Sequence, residues 1–320
     1  MVETPEISLV AILPELVLTV GAVVVLMVAV SSRRAATFMP WIAGLTVAGA
    51  GAGLIAQYND VAANGFSVSY ADMIVLDEQG IIIRSILLAV IALALLIGWR
   101  YVTSLGTRGG EALSLVFLSA VGFMLMASSI HMMLLFLGLE VGSISLYVLA
   151  ALGQRAKLSD EAAMKYFLLG SVASAIFLYG IALLYAGTGS LTYIGLFEFF
   201  SGDVVVFSDG LLSAGVALLF VGLLFKIAAA PFHAWAPDVY QGAPAGIVGY
   251  MGAVAKIGAM AALLRFVQVP FQSLVDSIQI PLAGVAAFSV VLGKDDTSLA
   301  DHDPGNLTSH QPLPSFAQRT

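Results

Sequence analysis

The chain has 320 residues, of which 60% are hydrophobic and only 10% are charged, and its formal net charge is −7. Soluble domains have roughly half apolar and about a quarter charged residues, so this composition excludes an ordinary soluble domain and predicts a protein with many membrane spans. The chain contains no cysteine, which excludes disulfides and thiolate-bound zinc or iron–sulfur centres within it.

Apolar runs close to the length needed for a membrane helix recur along the whole chain. Lipid offers backbone groups no hydrogen-bond partners, and these runs are longer than the roughly ten-residue strands of a membrane barrel. We therefore predict an all-α, polytopic transmembrane helix bundle. It has about nine spans, near residues 8–30, 39–56, 81–99, 112–128, 131–152, 162–185, 210–230, 243–266 and 276–292.

Basic residues indicate the orientation of these spans. The loops at 57–80, 128–130 and 186–209 contain no lysine or arginine, whereas cytoplasmic loops are enriched in both. We therefore predict that these loops and the N-terminus lie outside the cell. Arg265 is an exception at the outer end of the eighth span and is predicted to snorkel to the interface; Arg84 is predicted to snorkel or to pair with outer acids. The predicted inner loops contain Arg33, Arg34, Arg100, Arg108, Arg155 and Lys157.

Three of the ionisable residues within the predicted spans are the main candidates for chemistry. Glu140 is about nine residues into the fifth span, roughly 14 Å deep at the rise of a helix, and Lys256 is at a similar depth in the eighth. Lys226 lies near the inner end of the seventh span, and Pro231 follows it. A proline removes a helical hydrogen bond and frees carbonyls beside the lysine. Broken helices of this kind are typical of ion sites in transporters.

The three residues supply one acid and two bases. A buried charge at this depth costs between about 2.5 and more than 10 kcal/mol, so each is either compensated or used. Separating Glu140 from Lys226 favours release of a proton from the lysine to water or to Lys256, which is a switch that needs no cofactor. The alternative for the pair is a static ion pair between two helices. The alternative for Lys256 is snorkelling.

Two further residues have open interpretations. Lys165 lies four residues after Glu161, a spacing that predicts a surface ion pair on one helix face. His233 follows the break and is either a group for proton entry, because histidine titrates near physiological pH, or a residue that packs a loop.

Four segments together resemble a known family: "LFLGLEVGSISLYVLAAL", "DEAAMKYFLLGSVASAIFLYGIALLY", "LFKIAAAPFHAWAPDVYQGAP" and "MGAVAKIGAMAALLRF". The chain is similar to the antiporter-like membrane subunits of respiratory complex I over residues 1–292. The resemblance implies proton transfer through Glu140 on the fifth helix, Lys226 on a Pro-broken seventh helix and Lys256 on the eighth. It also implies roles for Lys165 and His233.

The resemblance further implies how the chain is organised. Residues 1–111 form an N-terminal three-helix segment, and 112–266 form a five-helix antiporter-like repeat. Residues 267–292 form a ninth span that begins an incomplete second repeat. The polar residues 293–320 are interpreted either as a disordered cytoplasmic tail or as the product of a truncated or shifted reading frame.

The implied function is proton translocation by a membrane-arm subunit of NADH-quinone oxidoreductase in the bacterial inner membrane. NADH, FMN, iron–sulfur clusters and quinone are expected in partner subunits, with no cofactor or metal in this chain. The expected partners are other membrane-arm subunits and lipid, and no nucleic acid. The alternatives are a subunit of a multisubunit cation/proton antiporter or membrane-bound hydrogenase, and an inactive truncated fragment.

Overall fold

The structure, a computed structural model, describes residues 7–31, 35–106, 108–152, 156–202 and 210–300. Within these ranges the protein is helical apart from one short antiparallel hairpin. Its strands are β1 (Ser67–Ser69) and β2 (Ile74–Leu76), with Val68 opposite Val75.

The helices follow one another with short connections, and their bounds give the frame for the site. They are α1 (Leu13–Ser31), α2 (Ala35–Asn64), α3 (Glu78–Ser104), α4 (Arg108–Ser128), α5 (Met132–Ala151), α6 (Ala156–Thr188), α7 (Tyr193–Phe200), α8 (Gly210–Lys226), α9 (Ala236–Gly242), α10 (Ala245–Gln268) and α11 (Val275–Ala300). Short 3-10 turns at Val10–Ile12 and Gln272–Leu274 precede α1 and α11.

Eight helices of the described residues are long and apolar enough to cross a membrane, and α8 is a ninth, shorter apolar helix of 17 residues. The eight are α1 to α6, α10 and α11. The polytopic all-α class is therefore confirmed. Helices α2 and α6 reach 30 and 33 residues, longer than the predicted spans, because a helix can continue beyond the hydrocarbon layer into water, where apolar residues are not required.

Two predicted ends differ from the structure. Helix α8 ends at Lys226 rather than near residue 230. The prediction of disorder from residue 293 is wrong as far as Ala300, because α11 continues to that residue. The first proline after Pro281 is Pro304, so nothing between them interrupts the helical hydrogen bonds. The rest of the predicted tail, from residue 301 onwards, lies outside the described residues.

Helix α4 lies at the centre of the bundle. About four-fifths of its most apolar stretch (78%) is buried, the largest share among the spans of the described residues. It packs against α1, α3, α5 and α10, while α8 packs mainly against α6. The candidate site is supplied by α5, α6, α8 and α10. Helices α6 and α10 each pack against both α5 and α8.

Glycines let two of these helix pairs approach closely. A Cβ added to Gly122 of α4 would lie 2.3 Å from the backbone nitrogen of Gly142 in α5. A Cβ added to Gly180 of α6 would lie 2.8 Å from the backbone nitrogen of Leu219 in α8. Small residues of this kind are the usual means of close helix packing in membranes, and here they fix the distance between the helices of the site.

We predict that Gly122→Ala lowers the midpoint of thermal unfolding in detergent, at a cost of about 2 kcal/mol, because the added methyl group meets backbone that cannot yield. Gly44→Ala is the matched control, since a Cβ at Gly44 meets nothing within 4 Å. Equal midpoints for the two variants would contradict the packing described for α4 and α5.

Candidate functional site

Lys226 is the last residue of α8, and its side chain is almost completely buried. Its ammonium nitrogen donates hydrogen bonds to two hydroxyl groups of α5, Ser143 Oγ at 2.8 Å and Tyr147 Oη at 2.9 Å. The same nitrogen lies 5.4 Å from the centre of the Tyr147 ring, within range of a cation–π interaction. The positive charge therefore rests on neutral groups.

The end of α8 holds the lysine at this position. Ala228 adopts a left-handed conformation with φ of 55°, which a residue with a Cβ seldom adopts, so the helix stops two residues earlier. The sequence analysis attributed the helix break to Pro231, whereas in the structure the helix has already ended before Ala228. After it, the backbone nitrogen of Ala230 donates to Ser289 Oγ of α11 at 2.9 Å, which secures the non-helical segment against α11.

Glu140 lies on the same face of α5 as the two hydroxyl groups, three residues before Ser143 and seven before Tyr147. It is half-buried, and its Oε1 atom is buried without a hydrogen-bond partner. No ion pair joins it to Lys226 within the described part of the chain. The structure therefore brings the predicted acid and base to one face in a separated state.

Lys256 lies midway along α10, and its side chain is exposed on the surface of the chain. Among the residues that the structure describes, none forms a hydrogen bond or ion pair with it. Helix α10 packs against both α5 and α8. The structure thus places Lys256 on a helix of the site but does not bring it into contact with Lys226.

Lys165 has two acidic partners. Its ammonium group lies 2.9 Å from Glu161, four residues earlier on α6, so the ion pair predicted from the spacing is confirmed. It also lies 2.7 Å from Asp238 of α9. This second contact, which the sequence analysis missed, joins α6 to the short helix that follows the break.

His233 lies in the turn between α8 and α9 and is half-buried. Its Nδ1 atom is buried and has no hydrogen-bond partner within the described part of the chain. Both interpretations of this residue stay predictions.

A series of aromatic ring contacts, which the sequence did not predict, connects Tyr147, beside Lys226, with Trp235 in the segment after α8. Tyr147 meets the edge of Tyr166 with ring centres 4.6 Å apart, and Tyr166 stacks on Trp235 at 4.8 Å. Trp235 stacks on Phe225, beside Lys226, and donates to the carbonyl oxygen of Phe225 at 3.2 Å. The only sequence signal is the aromatic content of the quoted segments, which does not specify these contacts.

Two buried arginines differ from Lys226 because each has a carboxylate partner. Arg84 is completely buried and contacts Glu15 at 2.8 Å, so of its two predicted alternatives pairing is correct, although with an acid of α1 rather than of an outer loop. Arg265 pairs with both oxygens of Asp77, at 2.8 and 3.0 Å. Since Arg265 is buried, the prediction that it snorkels is wrong.

Arginine stays charged under all conditions in proteins, whereas a buried lysine can lose its proton. The two arginine pairs therefore have the properties of fixed structural contacts. Lys226 combines burial, neutral partners and a nearby separated glutamate, which are the properties of a group that exchanges a proton.

Residues 129–297 match the family model described as NADH:quinone oxidoreductase/Mrp antiporter, transmembrane. The chain belongs to this family. The match spans the four helices of the site, α5, α6, α8 and α10.

Named relatives agree with the family. The chain is 37% identical over 270 residues to NADH-quinone oxidoreductase subunit N of Trichlorobacter lovleyi, covering 84% of this chain and 54% of the relative. It is 46% identical over 189 residues to subunit N of Mycobacterium tuberculosis, covering 59% and 35%. Among solved structures, respiratory complex I from Thermus thermophilus with bound aureothin contains a similar chain, with 32% identity, a TM-score of 0.61 and coverage of 79% and 52%. The match thus spans about half the length of the Trichlorobacter and Thermus chains and about a third of the mycobacterial one.

We predict different costs for removing one carboxylate from a buried and from an exposed pair. Asp77→Asn should destabilise the protein by about 3 kcal/mol, because Arg265 is left buried without a counter-charge, whereas asparagine still caps the helix start that Asp77 caps through Gly80. Asp238→Asn should cost less than about 1 kcal/mol, because its pair with Lys165 is largely exposed. The unfolding midpoints of the two variants in detergent test this difference. An equal loss of stability in both would show that Arg265 is solvated.

Proposed function

We propose that this chain is a proton-translocating membrane-arm subunit of NADH-quinone oxidoreductase in a bacterial membrane. The observation that carries the proposal is the buried Lys226, whose ammonium group rests on two hydroxyls while Glu140 stays apart on the same helix face. The names of the relatives supply the setting, since both relatives described above are subunits N of that enzyme.

The proposed mechanism uses this chain's residues as follows. When Glu140 and Lys226 pair, the carboxylate stabilises the charged lysine; when they separate, as here, the lysine in its apolar surroundings releases its proton more readily. Lys256 of α10, a helix that packs against both α5 and α8, is the proposed acceptor. His233, beside the break, is the proposed route of proton entry from the cytoplasm, and Lys165 holds α9 and the break in place.

Electron transfer is assigned to partner subunits, which supply NADH oxidation, FMN, iron–sulfur clusters and quinone. The described residues contain no group of three or more His, Asp or Glu side chains that could hold a metal ion. The proposed partners are the other membrane-arm subunits. A subunit of a cation/proton antiporter or membrane-bound hydrogenase is the alternative. Similar chains in an archaeal membrane-bound sulfane sulfur reductase and in an Mrp complex from Dietzia are 24% and 19% identical and support the fold alone.

We predict that Glu140→Ala and Lys256→Ala reduce proton translocation per enzyme complex at least about a hundredfold, the lower end of the usual contribution of a proton-transfer group, with Lys165→Ala reducing it less. The measurement is acidification by membrane vesicles, divided by the amount of complex on a native gel. Glu161→Ala is the matched control, because its carboxylate is exposed and serves Lys165 only.

Two results would contradict the proposal. Complex amount could fall while translocation per complex stays normal, which would make the charges structural. Purified complex could also lack this chain altogether, which would favour an inactive fragment.

We also propose that the N-terminus and the β1–β2 hairpin lie outside the cell. The hairpin and its flanks contain acidic residues but no lysine or arginine. The chain has no cysteine, so a cysteine placed at exposed Asp72 can be labelled selectively. We predict that an impermeant maleimide labels this cysteine in intact cells. Labelling only after lysis would show that the hairpin lies inside the cell.

A further inference from the structure

We propose that the hydroxyl groups of Ser143 and Tyr147 form a resting site for the Lys226 ammonium group and compete with Glu140 for it. The inference deepens the proposed function and rests on it. Both are positioning residues, because they hold the lysine when it is separated from Glu140. The ammonium group therefore has defined hydrogen-bond acceptors in both the paired and the separated state.

The first argument is geometric. Glu140, Ser143 and Tyr147 fall within an arc of roughly 60° on α5, and Glu140 is one turn, about 5 Å, from Ser143 along the helix. The long, flexible lysine side chain reaches such a distance by changing rotamers. In the structure the ammonium group donates to the two hydroxyl oxygens, at 2.8 and 2.9 Å.

The second argument is that the site is built to accept a hydrogen bond. The Ser143 hydroxyl donates a hydrogen bond to the carbonyl oxygen of Leu139, so its oxygen presents lone pairs to the lysine. That intrahelical bond fixes the serine rotamer. The acceptor therefore exists before the lysine arrives.

The tyrosine is fixed in a different way. Its ring packs edge-on against Tyr166 and Phe167 of α6, with centres 4.6 and 5.9 Å away. Gly170 of α6 leaves the space that the hydroxyl occupies, since a Cβ there would lie 2.1 Å from Tyr147 Oη. Three residues of α6 thus hold the hydroxyl where Lys226 meets it.

The third argument concerns charge. A carboxylate in place of either hydroxyl would hold the ammonium group permanently, as Asp77 holds Arg265. Two neutral acceptors satisfy its donors and limit the cost of burial without adding a counter-charge. The resting lysine is thereby stabilised enough to stay buried but not enough to stop responding to Glu140.

The test uses Tyr147→Phe, Ser143→Ala and their combination in the assembled complex. Each single variant should lower proton translocation per complex about tenfold, the effect of removing one charge-assisted hydrogen bond, with normal complex amounts. Ser143→Thr, which keeps a hydroxyl, should translocate protons at the native rate, unlike Ser143→Ala. Matched controls are Tyr193→Phe, a buried tyrosine of α7 whose hydroxyl has no hydrogen-bond partner among the described residues, and Ser145→Ala, whose hydroxyl donates to the carbonyl oxygen of Val141.

A structure of the combined variant supplies a readout that a merely structural role would not change. We expect the Lys226 nitrogen within hydrogen-bond distance of a Glu140 oxygen, where the native chain has none. A lysine that stays in place, or rates equal to those of the two controls, would overturn the inference. Lys226→Ala distinguishes the two proposals. If it leaves translocation intact, the proposed function itself fails. If it abolishes translocation while Tyr147→Phe behaves like Tyr193→Phe, only this inference fails.

Discussion

The structure depends on keeping one ammonium group, that of Lys226, buried in a membrane protein without a paired carboxylate. Its two hydroxyl partners and the Tyr147 ring are what make this tolerable. Those partners lie on α5, so the distance between α5 and α8 has to be held closely. The tight glycine contacts of α4 with α5 and of α6 with α8 hold it.

The other buried charges show what the same protein does when a charge is only structural. Arg265 fastens α10 to Asp77 at the start of α3, and also donates to the carbonyl oxygen of Ala127 in α4. Arg84 and Glu15 join α3 to α1 in the N-terminal segment. Each of these two cations has a carboxylate partner, whereas Lys226 is held by two hydroxyl groups. Glu140 and His233 each keep a buried polar atom without a hydrogen-bond partner among the described residues, and ionisable groups within a membrane segment are candidates for a proton path.

Much of this architecture can be read from the sequence, because hydropathy reports on burial in lipid directly. The apolar runs locate the spans, counting places Glu140 and Lys256 near the middle of α5 and α10, and the four-residue spacing of Glu161 and Lys165 gives their ion pair. Contacts between distant segments cannot be read in this way. Asp77 and Arg265 are 188 residues apart, and nothing local to Lys165 indicates Asp238 on α9.

The role of Tyr147 was hidden for a related reason. A tyrosine in an apolar span is ordinarily a packing residue, and only the end of α8 at Lys226 brings a charge to its hydroxyl. The position of that end depends on the left-handed Ala228, which the composition of the segment does not predict, since alanine favours continuing a helix. The candidate site thus lies where tertiary structure overrides a local preference.

The most direct measurement compares stability and transport in a single variant, Lys226→Met, which keeps the length of the side chain and removes its charge. If the lysine is retained for proton transfer at a cost to folding, the unfolding midpoint should be unchanged or higher, because apolar groups often replace buried charges without loss, while proton translocation falls to background. A lower midpoint combined with normal translocation by the complexes that remain would contradict the account.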